Sequence, residues 1–136
     1  KDLDTLKGQQ TFDIVFISVK SYDTERVTKA IAPYLAKDGF AVSLQNCWNE
    51  DTIASVLGAE RVVGTIASVI SVELYAPGRI RRMAEKGGDK HTVFRVGEIH
   101  GRITDRVNDL VKMFSLIDSA NACRRLSSST SCATCG

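Results

Sequence analysis

The sequence predicts an α/β fold built on a parallel sheet, and three observations support this class. Residues 13–20 and residues 40–46 are apolar runs that each stop on one polar side chain. Runs of this kind are typical of strands that are buried on both faces of a parallel sheet. A stretch with helical spacing lies between the two runs, so the order strand, helix, strand predicts a βαβ unit.

The βαβ unit is predicted to begin with a strand over residues 12–19. Residues 21–24 offer N-cap side chains for the helix that follows. The apolar stripe of that helix consists of Val27, Ile31, Tyr34 and Leu35. Gly39 suits a left-handed terminator, so the helix is predicted to close there and the second strand to cover residues 40–44.

The second half of the chain is predicted to be more varied. Asn49 caps a short helix that ends at Gly58, and a strand over residues 61–72 follows. Residues 79–83 and 91–96 are predicted to be two antiparallel strands that form a hairpin around the loop between them. A last helix has five apolar residues at helical spacing, which are Ile103, Val107, Leu110, Val111 and Phe114.

Length and composition predict one folded domain followed by a tail. A chain of 136 residues is long enough for a hydrophobic core of its own. Apolar periodicity stops after residue 118, and residues 127–131 contain only Ser and Thr. We therefore predict a domain over residues 1–118 and a low-complexity tail over residues 119–136, which is unstructured or aberrant.

Composition also excludes several classes of partner. The net charge of +2 is too small to indicate nucleic acid or a membrane surface as the partner. No apolar segment of the sequence approaches the length of a membrane span, and the first ten residues lack the apolar centre of a signal peptide. A cytoplasmic location is the resulting expectation.

The four cysteines do not have the density of a disulfide framework, so reduced thiols are expected. Cys132 and Cys135 form a lone C-x-x-C pair. A zinc ribbon needs a second pair, so we predict no metal site; a zinc module at this pair stays an alternative, which would bind zinc stoichiometrically. Cys47 is expected to be a small buried thiol rather than a nucleophile, because neither His91 nor His100 has an evident reason to lie near it.

Lys20 and Asn46 are the candidate ligand-binding residues, because each follows a predicted buried strand. In open parallel sheets, ligands bind beyond the carboxyl ends of the strands. The ammonium group of Lys20 can bind a phosphate or polarise a carbonyl oxygen, and the amide of Asn46 can both donate and accept hydrogen bonds. A solvated loop lysine and a turn asparagine are the structural alternatives. Together the pair suits an anionic or carbonyl-bearing ligand.

The same segments resemble a known family. The matching runs are FDIVFISVKSYDT (12–24), IAPYL (31–35), VSLQN (42–46), GAERVVG (58–64), the Pro77-Gly78 turn and the helix after Gly101. Over residues 11–118, these runs resemble ketopantoate reductase, which is also called 2-dehydropantoate 2-reductase. The lysine and the Leu-Gln-Asn motif, in this order and separation, make the resemblance specific.

The resemblance implies a partial NADP-binding domain of the Rossmann type, whose first βαβ unit, with its glycine-rich phosphate loop, would precede Lys1. Enzymes of this family use NADPH to reduce the 2-oxo acid ketopantoate to the 2-hydroxy acid pantoate in pantothenate biosynthesis. Lys20 and Asn46 fall on positions near cofactor and substrate, and Ile70 falls on a position whose backbone contacts the cofactor. The catalytic residues are expected in a second, helical domain that the chain lacks, so the chain alone is predicted to be inactive.

Two further implications concern assembly and backbone strain. A homodimer of the full-length parent is a candidate assembly. Cys47 replaces the glycine that family members usually have after the asparagine, and a positive φ at this position would strain the backbone.

Two other functions stay open. A related dehydrogenase would act on another 2-oxo acid or an imine, and a substrate panel on the full-length parent would separate it from a ketopantoate reductase. A non-catalytic α/β binding module would show no change in nucleotide binding after Lys20→Ala or Asn46→Ala.

Overall fold

The computed structural model describes residues 11–124 and residue 126. Its strands and helices, in chain order, are β1 (Phe12–Ile17), α1 (Thr24–Ile31), β2 (Leu35–Leu44), α2 (Glu50–Leu57), β3 (Val62–Ala67), β4 (Val72–Ala76), β5 (Arg79–Arg82), β6 (Phe94–Glu98), α3 (Asp105–Ser115) and β7 (Ala120–Ala122). None of the described helices is long and apolar enough to cross a lipid bilayer.

Within these residues, five strands form one mixed sheet in the order β1-β2-β3-β6-β7. β1, β2 and β3 are parallel, and α1 and α2 lie in the connections between them. β6 runs antiparallel to β3, and β7 runs parallel to β6. The predicted α/β class with a mainly parallel sheet is confirmed.

Helices cover both faces of the sheet, which explains why its central strands are apolar on both sides. Side chains alternate between faces along a strand, so Ala41 and Val42 of β2 belong to two different core clusters. Val42 packs with residues of α3, whereas Ala41 packs with Ile53 of α2. The predicted last helix is confirmed as α3, and the hydroxyl of its N-cap residue Thr104 accepts a hydrogen bond from the Val107 N–H (3.4 Å).

The first helix is shorter than predicted, and β2 starts earlier. α1 ends at Ile31, because Pro33 has no N–H with which to continue the helical hydrogen bonds. Leu35 is therefore the buried first residue of β2 instead of part of the helical stripe. Gly39 does not terminate a helix but lies inside β2, where an added Cβ would lie 2.8 Å from the carbonyl oxygen of Phe12 in β1. This glycine permits the close approach of the two strands.

The hairpin predicted from residues 79–83 and 91–96 is wrong, and a different hairpin is present in this part of the chain. β5 pairs with β4 through the turn Pro77-Gly78, and not with the strand that follows residue 91. Gly78 has a φ of +71°, which glycine adopts without strain. β6 pairs with β3 instead, and the strand predicted over residues 61–72 ends at Ala67, with β4 beginning only at Val72. Local alternation could not identify the partners, because all of these segments have strand-like composition.

The sheet extends beyond the predicted domain boundary at residue 118. β7 lies in the stretch 119–136, which the sequence predicts to be unstructured, and its Ala120 pairs with Phe94 of β6. Ala and Asn are both depleted in strands, so pairing with β6 rather than local sequence stabilises β7. The Ser/Thr run 127–131 and the C-x-x-C pair both lie outside the described residues.

Candidate functional site

A crevice opens at the edge of the sheet where β1 and β2 end. It has a volume of about 430 Å³ and is lined by Ser18, Val19, Lys20, Ser21, Leu44, Gln45, Asn46 and Cys47. The structure therefore brings Lys20 and Asn46 together, because the carboxyl ends of neighbouring parallel strands lie at the same edge. Both residues are exposed, so both side chains are accessible to a ligand. The volume is within the range of small-molecule sites.

Lys20 is positioned by the change from strand to helix after β1. Its backbone is extended (φ −64°, ψ 148°), and its carbonyl oxygen accepts a hydrogen bond from the Asp23 N–H (2.9 Å). The turn closed by this bond leads directly into α1. Lys20 consequently lies beyond the last residue of the strand, at the mouth of the crevice.

Gln45 links the ends of the two strands, a role that sequence reasoning did not assign. Its Nε2 donates hydrogen bonds to the carbonyl oxygen of Val19 (2.6 Å) and to the hydroxyl of Thr24 (2.9 Å). Gln45 directly precedes Asn46, and Val19 directly precedes Lys20. The Leu-Gln-Asn motif contained this residue, but only the fold reveals the acceptors on the neighbouring strand-to-helix connection.

The turn after Asn46 has a strained backbone. Cys47 has a φ of +68°, so the positive φ considered for this position is present, and a residue with a Cβ adopts it at a cost. Asn49 stabilises the turn, because its Nδ2 donates to the carbonyl oxygen of Asn46 (3.0 Å) and to the hydroxyl of Ser21 (3.2 Å). Cys47 is half-buried rather than buried, and the lining of the crevice includes no histidine. Across the described ranges, no cluster of three or more His, Cys, Asp or Glu residues is placed to hold a metal ion.

Ile70 does not share the crevice with the other two candidate residues. It is half-buried and packs against the core cluster that α3 forms with the sheet. The preceding residue, Val69, has a φ of +54°, which is rare for a β-branched side chain and marks a sharp change of direction after β3. The cofactor contact of the Ile70 backbone therefore stays a prediction, as do the ligand contacts of Lys20 and Asn46.

Glu50 is a buried carboxyl group at the start of α2, and sequence reasoning missed it. It is 5% exposed, and its Oε2 accepts a hydrogen bond from the Asn49 N–H (3.0 Å). Burial raises the pKa of Glu50, and hydrogen bonds from the backbone N–H groups of Glu50 and Asn49 offset only part of this effect. The side chain fills space over β3, where a Cβ on Gly64 would lie 2.8 Å from Oε1. A glutamate after an N-cap usually faces solvent, so its position gave no indication of burial.

Glu50→Gln is expected to remove a pH dependence of stability. Because the folded pKa of Glu50 is raised, the contribution of this group to stability is fully present below its unfolded pKa of about 4.3 and is lost as the pH rises through the folded value. Glutamine keeps an acceptor for Asn49 and does not ionise. In thermal unfolding from about pH 4 to about pH 8, the variant should have a higher Tm than wild type near neutral pH and no such advantage at acidic pH. Glu60→Gln, at an exposed site, is the control, and parallel pH profiles of wild type and Glu50→Gln would contradict the expectation.

The β4–β5 hairpin is fixed to the sheet at its base by a second buried carboxyl group. The guanidinium of Arg82 donates to Asp118, whose Oδ1 also accepts hydrogen bonds from the N–H groups of Ser119 (2.7 Å) and Gly87 (3.0 Å). Burial alone would raise the pKa of Asp118, but these donors together outweigh it and lower the pKa to about 2. The end of β5 is therefore anchored to the connection between α3 and β7.

One protein family matches the chain. The sequence model of the family described as ketopantoate reductase PanE/ApbA covers residues 2–94. None of the curated proteins that were compared matches the chain.

Several solved structures are similar to this fold. The PanE/ApbA family ketopantoate reductase of Ralstonia eutropha JMP134 is 26% identical, with a TM-score of 0.68 over 86% of this chain and 36% of that protein. The 2-dehydropantoate 2-reductase of Porphyromonas gingivalis W83 is 22% identical, with a TM-score of 0.72 over 86% of this chain and 39% of that protein. A D-mandelate dehydrogenase with NADH and anilino(oxo)acetate is 14% identical, with a TM-score of 0.63 over 90% of this chain and 38% of that protein. The chain spans less than half the length of each of these proteins.

Proposed function

The chain belongs to the ketopantoate reductase family, and we propose on this premise that it forms part of an NADPH-dependent reductase of a 2-oxo acid. The proposed reaction converts ketopantoate to pantoate, as the family name indicates, and serves pantothenate biosynthesis in the cytoplasm. A bound nicotinamide supplies the hydride for the C2 carbonyl of the substrate. Membership of this family supports an oxidoreductase. We further propose that the cofactor is NADPH, that the pathway is pantothenate biosynthesis and that the full-length parent is a homodimer.

The observation that carries the proposal is the shared position of Lys20 and Asn46 in one crevice beyond β1 and β2. The ammonium group of Lys20 suits a phosphate or a carboxylate, and it can also polarise the oxygen of the reacting carbonyl. The amide of Asn46 suits a carboxamide or a hydroxyl group, because it donates and accepts.

The remaining parts of such a site are proposed to come from other segments. The sequence has no G-x-G-x-x-G motif, so these 136 residues do not include the usual dinucleotide phosphate loop. The lining of the crevice also includes no histidine, aspartate or glutamate that could act as a general acid. We therefore expect this chain to bind and orient the ligands without turning them over.

A dehydrogenase of a different 2-oxo acid is the second candidate. The D-mandelate dehydrogenase with NADH and anilino(oxo)acetate has a similar fold, so the fold alone does not select the substrate or the nicotinamide. Titration with both NADH and NADPH, followed by ketopantoate and other 2-oxo acids, separates the two candidates.

We expect NADPH to bind the chain weakly and through Lys20. Trp48 is the single tryptophan and lies next to the crevice residue Cys47, so energy transfer from Trp48 to the nicotinamide reports binding to the chain, and the variants at Lys20 and Asn46 test whether that binding is in the crevice. For such a partial site we expect a Kd on the order of 1 mM, which corresponds to a binding free energy of about −4 kcal/mol. Lys20→Ala should raise the Kd about tenfold, and Asn46→Ala should raise it about fivefold, because each removes about one hydrogen bond to the ligand.

Lys112→Ala is the matched control for this titration, because Lys112 is an exposed lysine on α3, away from the crevice. Its Kd for NADPH should equal that of wild type. The proposal fails if wild type shows no saturable energy transfer, or if Lys20→Ala binds NADPH as wild type does. Equal binding by wild type, Lys20→Ala and Asn46→Ala is the result expected of a non-catalytic binding module.

A further inference from the structure

The two strand ends that carry Lys20 and Asn46 are joined by a side-chain amide whose donors both point into the protein. Gln45 has two N–H donors on Nε2, and its two acceptors are the carbonyl oxygen of Val19 and the hydroxyl of Thr24. Its Oε1 is buried as well and has no hydrogen-bond partner among the described residues. Both donors of the amide are therefore used within the protein, although Gln45 also contributes to the lining of the crevice.

A buried acceptor without a partner costs free energy, so an apolar side chain at position 45 would avoid a penalty that Gln45 incurs. What the amide provides in exchange is its pair of donors. Both donors end on the connection between β1 and α1, on either side of Lys20. These two hydrogen bonds therefore fix the position of Lys20 relative to the end of β2.

The acceptors of Gln45 are themselves well fixed. Thr24 is fully buried at the start of α1, and its carbonyl oxygen accepts a hydrogen bond from the hydroxyl of Thr28 (2.7 Å). Between the two acceptors, the Asp23 N–H closes the turn onto the carbonyl oxygen of Lys20 (2.9 Å). The backbone of Lys20 is thus held on both sides, and Gln45 connects this rigid turn to the residue before Asn46.

We propose that Gln45 is a positioning residue that sets the separation and orientation of Lys20 and Asn46. It acts by tying the end of β2 to the strand-to-helix turn after β1, and its N–H donors end on the protein rather than on the ligand. The significance for cofactor binding rests on the proposed function, whereas the structural role can be tested without any ligand.

The first test is amide hydrogen exchange of the chain with Gln45→Met, which keeps the length of the side chain and removes both donors. Exchange of the Asp23 amide should become at least tenfold faster, while amides in β6 exchange as in wild type. Asn108→Met, at an exposed position of α3, is the matched control and should change neither. Thr24→Val, which removes one acceptor of Gln45, should have a smaller effect in the same direction, and the double variant should resemble Gln45→Met.

The second test is the NADPH titration, performed where each variant is fully folded. Gln45→Met should raise the Kd about tenfold, and adding Lys20→Ala in that background should raise it less than twofold further, because Lys20 is already misplaced. A purely structural role would leave the Kd of the folded variant unchanged and the effect of Lys20→Ala undiminished.

The outcomes separate this inference from the proposed function. Unchanged exchange at Asp23 in Gln45→Met overturns the positioning role, whatever NADPH does. Binding of NADPH by wild type that weakens with Lys20→Ala and not with Gln45→Met also overturns it. Absence of NADPH binding by wild type overturns the proposed function, and the exchange result then decides the positioning role alone.

Discussion

Arg106→Met should lower the free energy of unfolding by about 3 kcal/mol at neutral pH, because it leaves a buried carboxylate without its partner. Glu98 is 1% exposed, and its two carboxylate oxygens accept hydrogen bonds from Nε (2.7 Å) and Nη2 (2.6 Å) of Arg106. Arg106 also donates to the carbonyl oxygen of Glu60 (2.7 Å) and lies over the ring of Phe40. Chemical denaturation at neutral pH measures the loss.

The pH dependence identifies the cause of this loss. Burial alone would raise the pKa of Glu98, but the hydrogen bonds from Arg106 and Thr104 outweigh it and lower the pKa. In wild type, this stabilisation is present above the unfolded pKa and is lost as the pH falls through the folded value. In Arg106→Met the carboxyl group loses its closest cation and keeps only the more distant His100 (Nε2 to Oε2, 3.8 Å), so the deficit relative to wild type should shrink as Glu98 is protonated at acidic pH.

Two further variants complete this experiment. Glu98→Gln in the Arg106→Met background removes the buried charge and keeps an acceptor for Thr104, so it should restore part of the lost stability. Arg102→Met replaces an exposed arginine nearby and should change stability by no more than about 0.5 kcal/mol. A loss in Arg106→Met that neither acidification nor Glu98→Gln reduces would mean that packing over Phe40, not the ion pair, accounts for it.

Phe114→Ala should lower the free energy of unfolding by about 4 kcal/mol, because it opens a cavity between α3 and the sheet. The ring is 5% exposed and stacks on Phe94 of β6, with centroids 4.7 Å apart. Its other neighbour is Phe16 of β1, which meets it edge-on at 5.9 Å. Removal of the ring therefore leaves a cavity between Phe94 and Phe16.

Met113→Ala is the matched control, because Met113 is the preceding residue of α3 and is 45% exposed. Its substitution should cost less than about 1 kcal/mol in the same denaturation experiment. Phe114→Leu, which retains most of the apolar volume, should lie between the two. Equal losses in Phe114→Ala and Met113→Ala would contradict the expectation, because the buried ring would then contribute no more than an exposed side chain of the same helix.

The location of the candidate site was predictable because it depends on where apolar runs stop. The sequence alone indicates that Lys20 and Asn46 each follow an apolar strand, although β1 is mostly half-buried rather than buried, and the parallel order of the strands then places both residues at one edge. α3 was predictable for a related reason, because its apolar residues recur at the period of the helix that they bury. These features depend on residues that are close in sequence.

The contacts that hold the site together were not predictable, because their partners are distant in sequence. The acceptors of Gln45 lie on another strand-to-helix connection, and the burial of Glu50 depends on β2 and β3. β5 could pair with the strand before it, through the Pro77-Gly78 turn, or with the strand after residue 91. The structure has the first of these pairings. β7 was unpredictable for the same reason, because its three residues are held in the sheet by their pairing with β6.

The antiparallel direction of β6 has a consequence for how this protein can diverge. Ala67, at the end of β3, pairs with Phe94, at the start of β6, and the Ser68 N–H donates to the carbonyl oxygen of Val93 (2.9 Å). The chain between these residues therefore leaves and re-enters the sheet at the edge that holds the crevice. Insertions, deletions and substitutions within this excursion alter that edge without shifting the register of any strand in the sheet. Sequence change can thus accumulate there while the scaffold stays constant.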